Sequence, residues 1–169
     1  MKIFTLPLAV FFLCVAAHAQ PGPEIELESK YDRYTNKTTV MLHERVVKGQ
    51  DTSLYFSAGA TFEGEHPKEW ATRVILSVGI ISKSPLRAND TKLYVLLDGK
   101  PLELERLELL SFQPDSPYST TVYGVLLHAD ILSKIATAKK AEMRFDSVEF
   151  TLSSAQQIKI IDFLRMTRP

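Results

Sequence analysis

From Tyr31 onward the apolar residues of this chain recur with a period of two, and a sequence patterned that way is committed to sheets. Leu54, Phe56, Ala58, Ala60 and Phe62 alternate with Tyr55, Ser57, Gly59 and Thr61, the pattern of a half-buried strand. Strands are also predicted over residues 31–34 and 38–47, around a turn at Thr35-Asn36-Lys37. Residues 72–82 are apolar on both faces. Val74, Leu76, Val78 and Ile80 lie on one side and Ile75 and Ile81 on the other, so this segment is predicted to be a central strand covered on both sides.

The clearest local signal runs over residues 92–107. Leu93 to Leu97 leads into Asp98-Gly99, and Leu102, Leu104 and Arg106 return. Asp-Gly between two apolar runs predicts a hairpin, because the turn needs positive φ. Pro101 has no amide to donate, which places the start of the returning strand at an edge. Residues 63–69 and 111–119, polar or proline-bearing, are predicted loops.

The last third changes rhythm. A strand over 120–127 precedes a short helix over 129–138, with Ile131, Leu132, Ile135 and Ala136 at helical spacing. A hairpin over 141–145 and 148–152 turns at Asp146-Ser147. Ser153 or Ser154 then caps a final helix, with Gln156 or Gln157 completing a capping box. Its predicted apolar face is Ile158, Ile161, Phe163 and Leu164. The expected class is α+β, mainly antiparallel β, as a sandwich or curved sheet with two short helices in the C-terminal third.

The first 19 residues read differently. Met1-Lys2 gives a positive start, residues 3–15 are nearly all apolar, and Ala17-His18-Ala19 offers small residues where a signal peptidase reads. A secretory signal peptide over 1–19 is expected, cleaved after Ala19, and the apolar run is too short for a membrane span. A lipoprotein, with Cys14 acylated, would require a small residue where Leu13 stands. Cys14 is the only cysteine, so cleavage removes thiol chemistry and leaves a disulfide-free chain. That points to a bacterial envelope, periplasmic or secreted. The sequons at Asn36 and Asn89 both resemble turns.

Residues 20–30 read as a flexible leader, with an edge strand through Ile25 and Leu27 as the alternative; residues 31–169 read as one domain of ordinary size. The whole chain has 20 basic and 20 acidic residues, and removing Lys2 with the leader leaves a single net negative charge. A balance like that gives no overall pull toward nucleic acid or anionic lipid, and neither nucleic acid nor a membrane span is expected of the mature chain.

Chemistry-bearing clusters are sparse. His43-Glu44 lies in a predicted strand, where adjacent side chains point to opposite faces and cannot share a metal. Glu63, Glu65 and His66, beside Trp70, form the only candidate for a loop-bound divalent ion. His128 sits where it could cap the first helix. Glu103, Glu105, Glu108, Asp130 and Glu149 are acids whose spacing fixes no pair. No Gly-x-Ser-x-Gly elbow and no clustered glycines occur, so no nucleophile or phosphate cradle is assigned, and no catalytic, cofactor or metal residue is committed. Tyr31, Tyr34, Tyr55, Tyr94, Tyr118, Tyr123 and Trp70 suit either a binding surface or cross-strand packing.

Residues 121–164, with their Ala-x-x-x-Glu-x-Arg stretch and Ser-capped last helix, and residues 31–40 (YDRYTNKTTV) resemble a family of exported bacterial proteins of unknown function. The resemblance implies a single exported domain and no activity. The leading expectation is a non-catalytic binding or interaction domain of the bacterial envelope, for an envelope protein or a small ligand, with no cofactor. Two alternatives stand beside it. One is a periplasmic hydrolase using carboxylates or a metal at Glu63, Glu65 and His66; the other is an inhibitor of an external hydrolase, presenting the 63–70 loop.

Overall fold

The computed structural model describes residues 25–49, 51–84, 87–114 and 117–169, so the signal-peptide and lipoprotein readings lie outside the described residues. Among the described residues, ten strands and two helices follow one another: β1 (Ile25–Asp32), β2 (Lys37–Lys48), β3 (Thr52–Glu63), β4 (Arg73–Ser82), β5 (Leu93–Leu97), β6 (Lys100–Leu102), β7 (Glu108–Pro114), β8 (Ser119–His128), α1 (Ala129–Thr137), β9 (Ala141–Phe145), β10 (Val148–Thr151) and α2 (Ser154–Met166). All pairings are antiparallel. They form a six-stranded sheet, β1-β2-β3-β4-β8-β7, and a four-stranded sheet, β10-β9-β5-β6. The α+β class is as expected. No described helix is long and apolar enough to cross a membrane.

One face of the large sheet is buried. Val40 and Leu42 of β2, Leu54, Phe56 and Ala58 of β3, and Val74, Leu76 and Val78 of β4 bring every second residue into the core. Tyr123 and Leu127 of β8 join them, and the small sheet adds Leu93, Val95, Met143 and Phe145. The two sheets meet where the rings of Tyr123 and Phe145 stand 5.5 Å apart. The helices add Leu132, Ile135, Ile160 and Phe163 to the same cluster. Each fully buried Leu, Ile or Phe contributes about 1.5–3 kcal/mol of transfer free energy.

Turns fall where residues tolerate positive φ. Asn36, Asp98 and Gly99, and Asp146 close the β1–β2, β5–β6 and β9–β10 hairpins. Three expectations are corrected here. Residues 25–30 belong to an edge strand rather than a leader, their backbone pairing with β2 from Ile25 to Asp32. Residues 108–114 form β7, although 111–119 read as a loop. Pro114 is tolerated because it ends an edge strand, and a bulge between Leu109 and Ser111 hides the two-residue period. The strand returning from Asp98-Gly99 is only Lys100–Leu102, and its continuation touches Lys92 through a single bridge at Arg106.

The helices dock through side chains that cap them. Ser153 Oγ accepts from the Gln156 N–H at 3.3 Å, while Gln156 Oε1 accepts from the Ser153 N–H at 2.7 Å. Ser153, rather than Ser154, is thus the cap. Gln157 acts on the other helix. Its Nε2 donates to the carbonyls of Ile135 and Ala138, at 3.2 and 2.8 Å, closing the end of α1. The buried face of α2 is Gln157, Ile160, Phe163 and Leu164. Ile158, expected on that face, is 55% exposed.

Candidate functional site

The candidate loop residues lie apart from any grouping of ligands. Glu63 ends β3, and Glu65 and His66 are exposed beyond it. Gly64 donates its N–H to Asn36 O at 2.8 Å, and Thr38 Oγ1 donates to Gly64 O at 2.6 Å. These bonds hold the loop by its backbone and leave its side chains in solvent. Among the described residues, no group of three or more His, Cys, Asp or Glu is placed to hold a metal ion. At the far end of the same loop Trp70 is 58% exposed, with the Arg168 guanidinium 4.2 Å above its ring. Ala71 N–H donates to Thr167 O at 3.1 Å, so this end is tied to the C-terminus. The shallow cleft beside it, lined by Trp70, Ala129, Asp130, Leu164, Thr167 and Arg168, offers about 20 Å³, room for one water molecule.

His128 precedes α1 in extended conformation and its side chain makes no capping bond; Ala129 N–H donates instead to Thr72 O. The aromatic set is dispersed. Tyr123 is buried, its hydroxyl accepting from Ala88 N–H at 3.0 Å. Tyr94 lies on the outer face of the small sheet, flanked by Lys92 and Arg144 at 5.1 and 4.5 Å. Tyr31 and Tyr34 project at the β1–β2 turn. Of the seven, only Tyr55 belongs to the surface described next.

That surface is the second face of the large sheet. By composition residues 72–82 should be covered on both sides, and the structure covers one. Val74, Leu76, Val78 and Ile80 are buried, whereas Ile75, Ser77, Gly79 and Ile81 keep partial exposure. The two helices and the small sheet pack on the side that carries the core. The register lays out the outer face row by row. Met41, Gly59, Ile75 and Leu126 form one row; His43, Ser57, Ser77 and Gly124 the next; Arg45, Tyr55, Gly79 and Val122 a third. Each row carries at least one small residue, Gly59 in the first, Ser57, Ser77 and Gly124 in the second and Gly79 in the third, with Met41, Ile75, Leu126, Tyr55 and Val122 as larger neighbours. The result is a shallow trough across four strands, about 15 Å wide at the usual strand spacing.

The trough has one polar pair. His43 Nδ1 and Ser57 Oγ share a hydrogen bond at 3.0 Å. Burial holds the His43 pKa below its ordinary value, and the Glu28 carboxylate on the neighbouring strand opposes that shift. Glu44, next in sequence, points to the core and accepts from Gln156 Nε2 at 2.8 Å. A serine in contact with a neutral imidazole has the look of a nucleophile and its base. However, β3 is paired with β2 and β4 through Ser57, so the amides around that hydroxyl belong to the ladder and cannot stabilise an oxyanion. The pair places His43 at a partly exposed position of the outer face, bonded to a Ser57 that is itself only 7% exposed. Neither the trough nor the pair is announced by a motif in the sequence. The signal lies in the second apolar set of residues 72–82, together with the small residues Ser57, Gly59, Ser77, Gly79 and Gly124.

No protein-family model, curated protein or solved structure matches this chain.

Proposed function

We propose that this protein is an exported, non-catalytic interaction module of a bacterial envelope, whose protein partner docks on the outer face of the six-stranded sheet. One observation carries the reading: β4 has the composition of a strand covered on both faces, yet its outer residues Ile75 and Ile81 keep partial exposure. Leu126, on the rim, is 45% exposed. Contiguous apolar surface rimmed by polar groups marks interaction sites. The shape favours a protein over a small molecule, since a ligand pocket encloses what it binds. Export is supported by residues 1–19, and a mature chain beginning at Gln20 is free of cysteine.

The test is photo-crosslinking in living bacteria, with a benzophenone amino acid at Leu126 or Met41 and a control at Tyr34, which is 84% exposed but far from the trough in the β1–β2 turn. A discrete adduct from the trough positions alone supports the reading. Adducts from Tyr34 only, or from none of the positions, overturn it. The mass of the recovered chain tests export separately, since cleavage removes residues 1–19 and a full-length cytoplasmic product refutes it.

A further inference from the structure

The four sheet edges are not equivalent. β6 has three residues and contains Pro101, β10 has four, and β7 is bulged and ends in Pro114. Each is blunted by a device that discourages strand addition. β1 is eight residues long, with unbroken register against β2 and neither proline nor bulge. An edge strand of that kind leaves every second residue's N–H and C=O without a ladder partner.

From this edge we infer that two copies of the protein associate through β1, antiparallel about a twofold axis at Ser29, into one continuous sheet. The choice of register follows from the side chains. Outward-directed backbone groups recur at every second residue, so a symmetric pair has its axis on a residue rather than between two. With the axis at Ser29, Glu28 stands opposite Lys30 of the second copy, twice, on the outer face. Leu27 stands opposite Tyr31, twice, on the inner face. Faces follow from the pairing of Glu28 with Met41, Lys30 with Thr39, Leu27 with Leu42 and Tyr31 with Thr38. Opposite charges directly across a strand pair stabilise it, as do aromatic–aliphatic pairs. Tyr31, 41% exposed in the single copy, gains a partner. Moving the axis to Glu28 sets Glu28 against itself, and moving it to Lys30 sets Lys30 against itself. The match ends at Asp32, whose carboxylate is turned into its own loop by the Tyr34 N–H at 2.8 Å and the Thr35 hydroxyl at 2.9 Å.

Sedimentation velocity over a concentration series, on protein recovered after expression of the full chain, decides the matter. The unaltered protein is expected to dimerise. Glu28→Lys and Lys30→Glu alone each place like charges opposite one another and are expected to weaken the dimer about tenfold. An equal mixture of the two single variants, and the double variant with both changes, regain opposite charges and are expected to return to within about threefold of the original. That pattern is specific to this register, and the double variant controls for folding. A monomer at every concentration overturns the inference, as does a dimer indifferent to these changes. The seam lies at the sheet edge, so its failure leaves the outer-face reading as it stands.

Discussion

Single residues set the depth of the trough, and two of its three glycines, Gly79 and Gly124, are not interchangeable. A Cβ on Gly124 would overlap the Leu110 methyl that the β7 bulge lays over it, and would stand 3.2 Å from the Leu76 carbonyl oxygen. The Leu110 methyl can swing aside, but the carbonyl belongs to the central ladder and cannot. At Gly79 the nearest atom is the Tyr55 Cβ at 3.7 Å, an ordinary contact. Gly124→Ala is therefore expected to destabilise by about 1–3 kcal/mol through overpacking. Gly79→Ala should fold with a change within about 0.5 kcal/mol, the range of substitutions that meet no strain. Denaturant midpoints for the two variants check the contrast, and equal losses would show that space over the sheet is not what selects glycine at 124.

The elements themselves are mostly legible in the sequence, because the alternation of β2, β3 and β4 and the Asp-Gly turn are local signals. What escapes is decided at a distance. β7 is a strand because β8 offers it an edge, and that neighbour cannot be read from Ser111 to Pro114. Ile158 faces solvent because α2 is oriented by its contacts with α1 and β2, where Gln157 reaches α1 carbonyls and Gln156 reaches Glu44. The capping box is a local pattern; its second use is not. Glu and Gln both complete such a box at the third helical position, and an isolated helix would accept either. Here the Gln156 amide donates to the buried Glu44 carboxylate while its oxygen serves the cap. Gln156→Glu keeps the cap but sets two carboxylates together. It is expected to cost about 1–3 kcal/mol at pH 7, from the lost donor and the added charge beside a buried one. Protonation of either carboxyl in the variant would relieve the repulsion, so the deficit should shrink as the pH falls toward about 5. Denaturation curves of the variant and the parent at the two pH values measure this, and a deficit that grows on acidification would refute it.

The chain as a whole threads its two sheets through one another. β4 and β8 are hydrogen-bonded neighbours in the large sheet, yet β5 and β6 of the small sheet and the edge strand β7 intervene between them in sequence. The small sheet is then completed by β9 and β10, which follow α1. Neither sheet can be assembled from one contiguous stretch, and both bury side chains in a common core with the two helices. A fold so interleaved has no seam along which one part can detach, so unfolding is expected to be a single cooperative transition. The protein supplies its own probe, because its single tryptophan, Trp70, stands outside the strands, against Arg168 at the C-terminus. Its fluorescence reports the docking of that terminus, whereas far-ultraviolet circular dichroism reports mainly the sheets. The two denaturant curves should share midpoint and slope. An earlier transition in fluorescence would mean that the end of the chain leaves first, and that the helices close over a sheet able to stand without them.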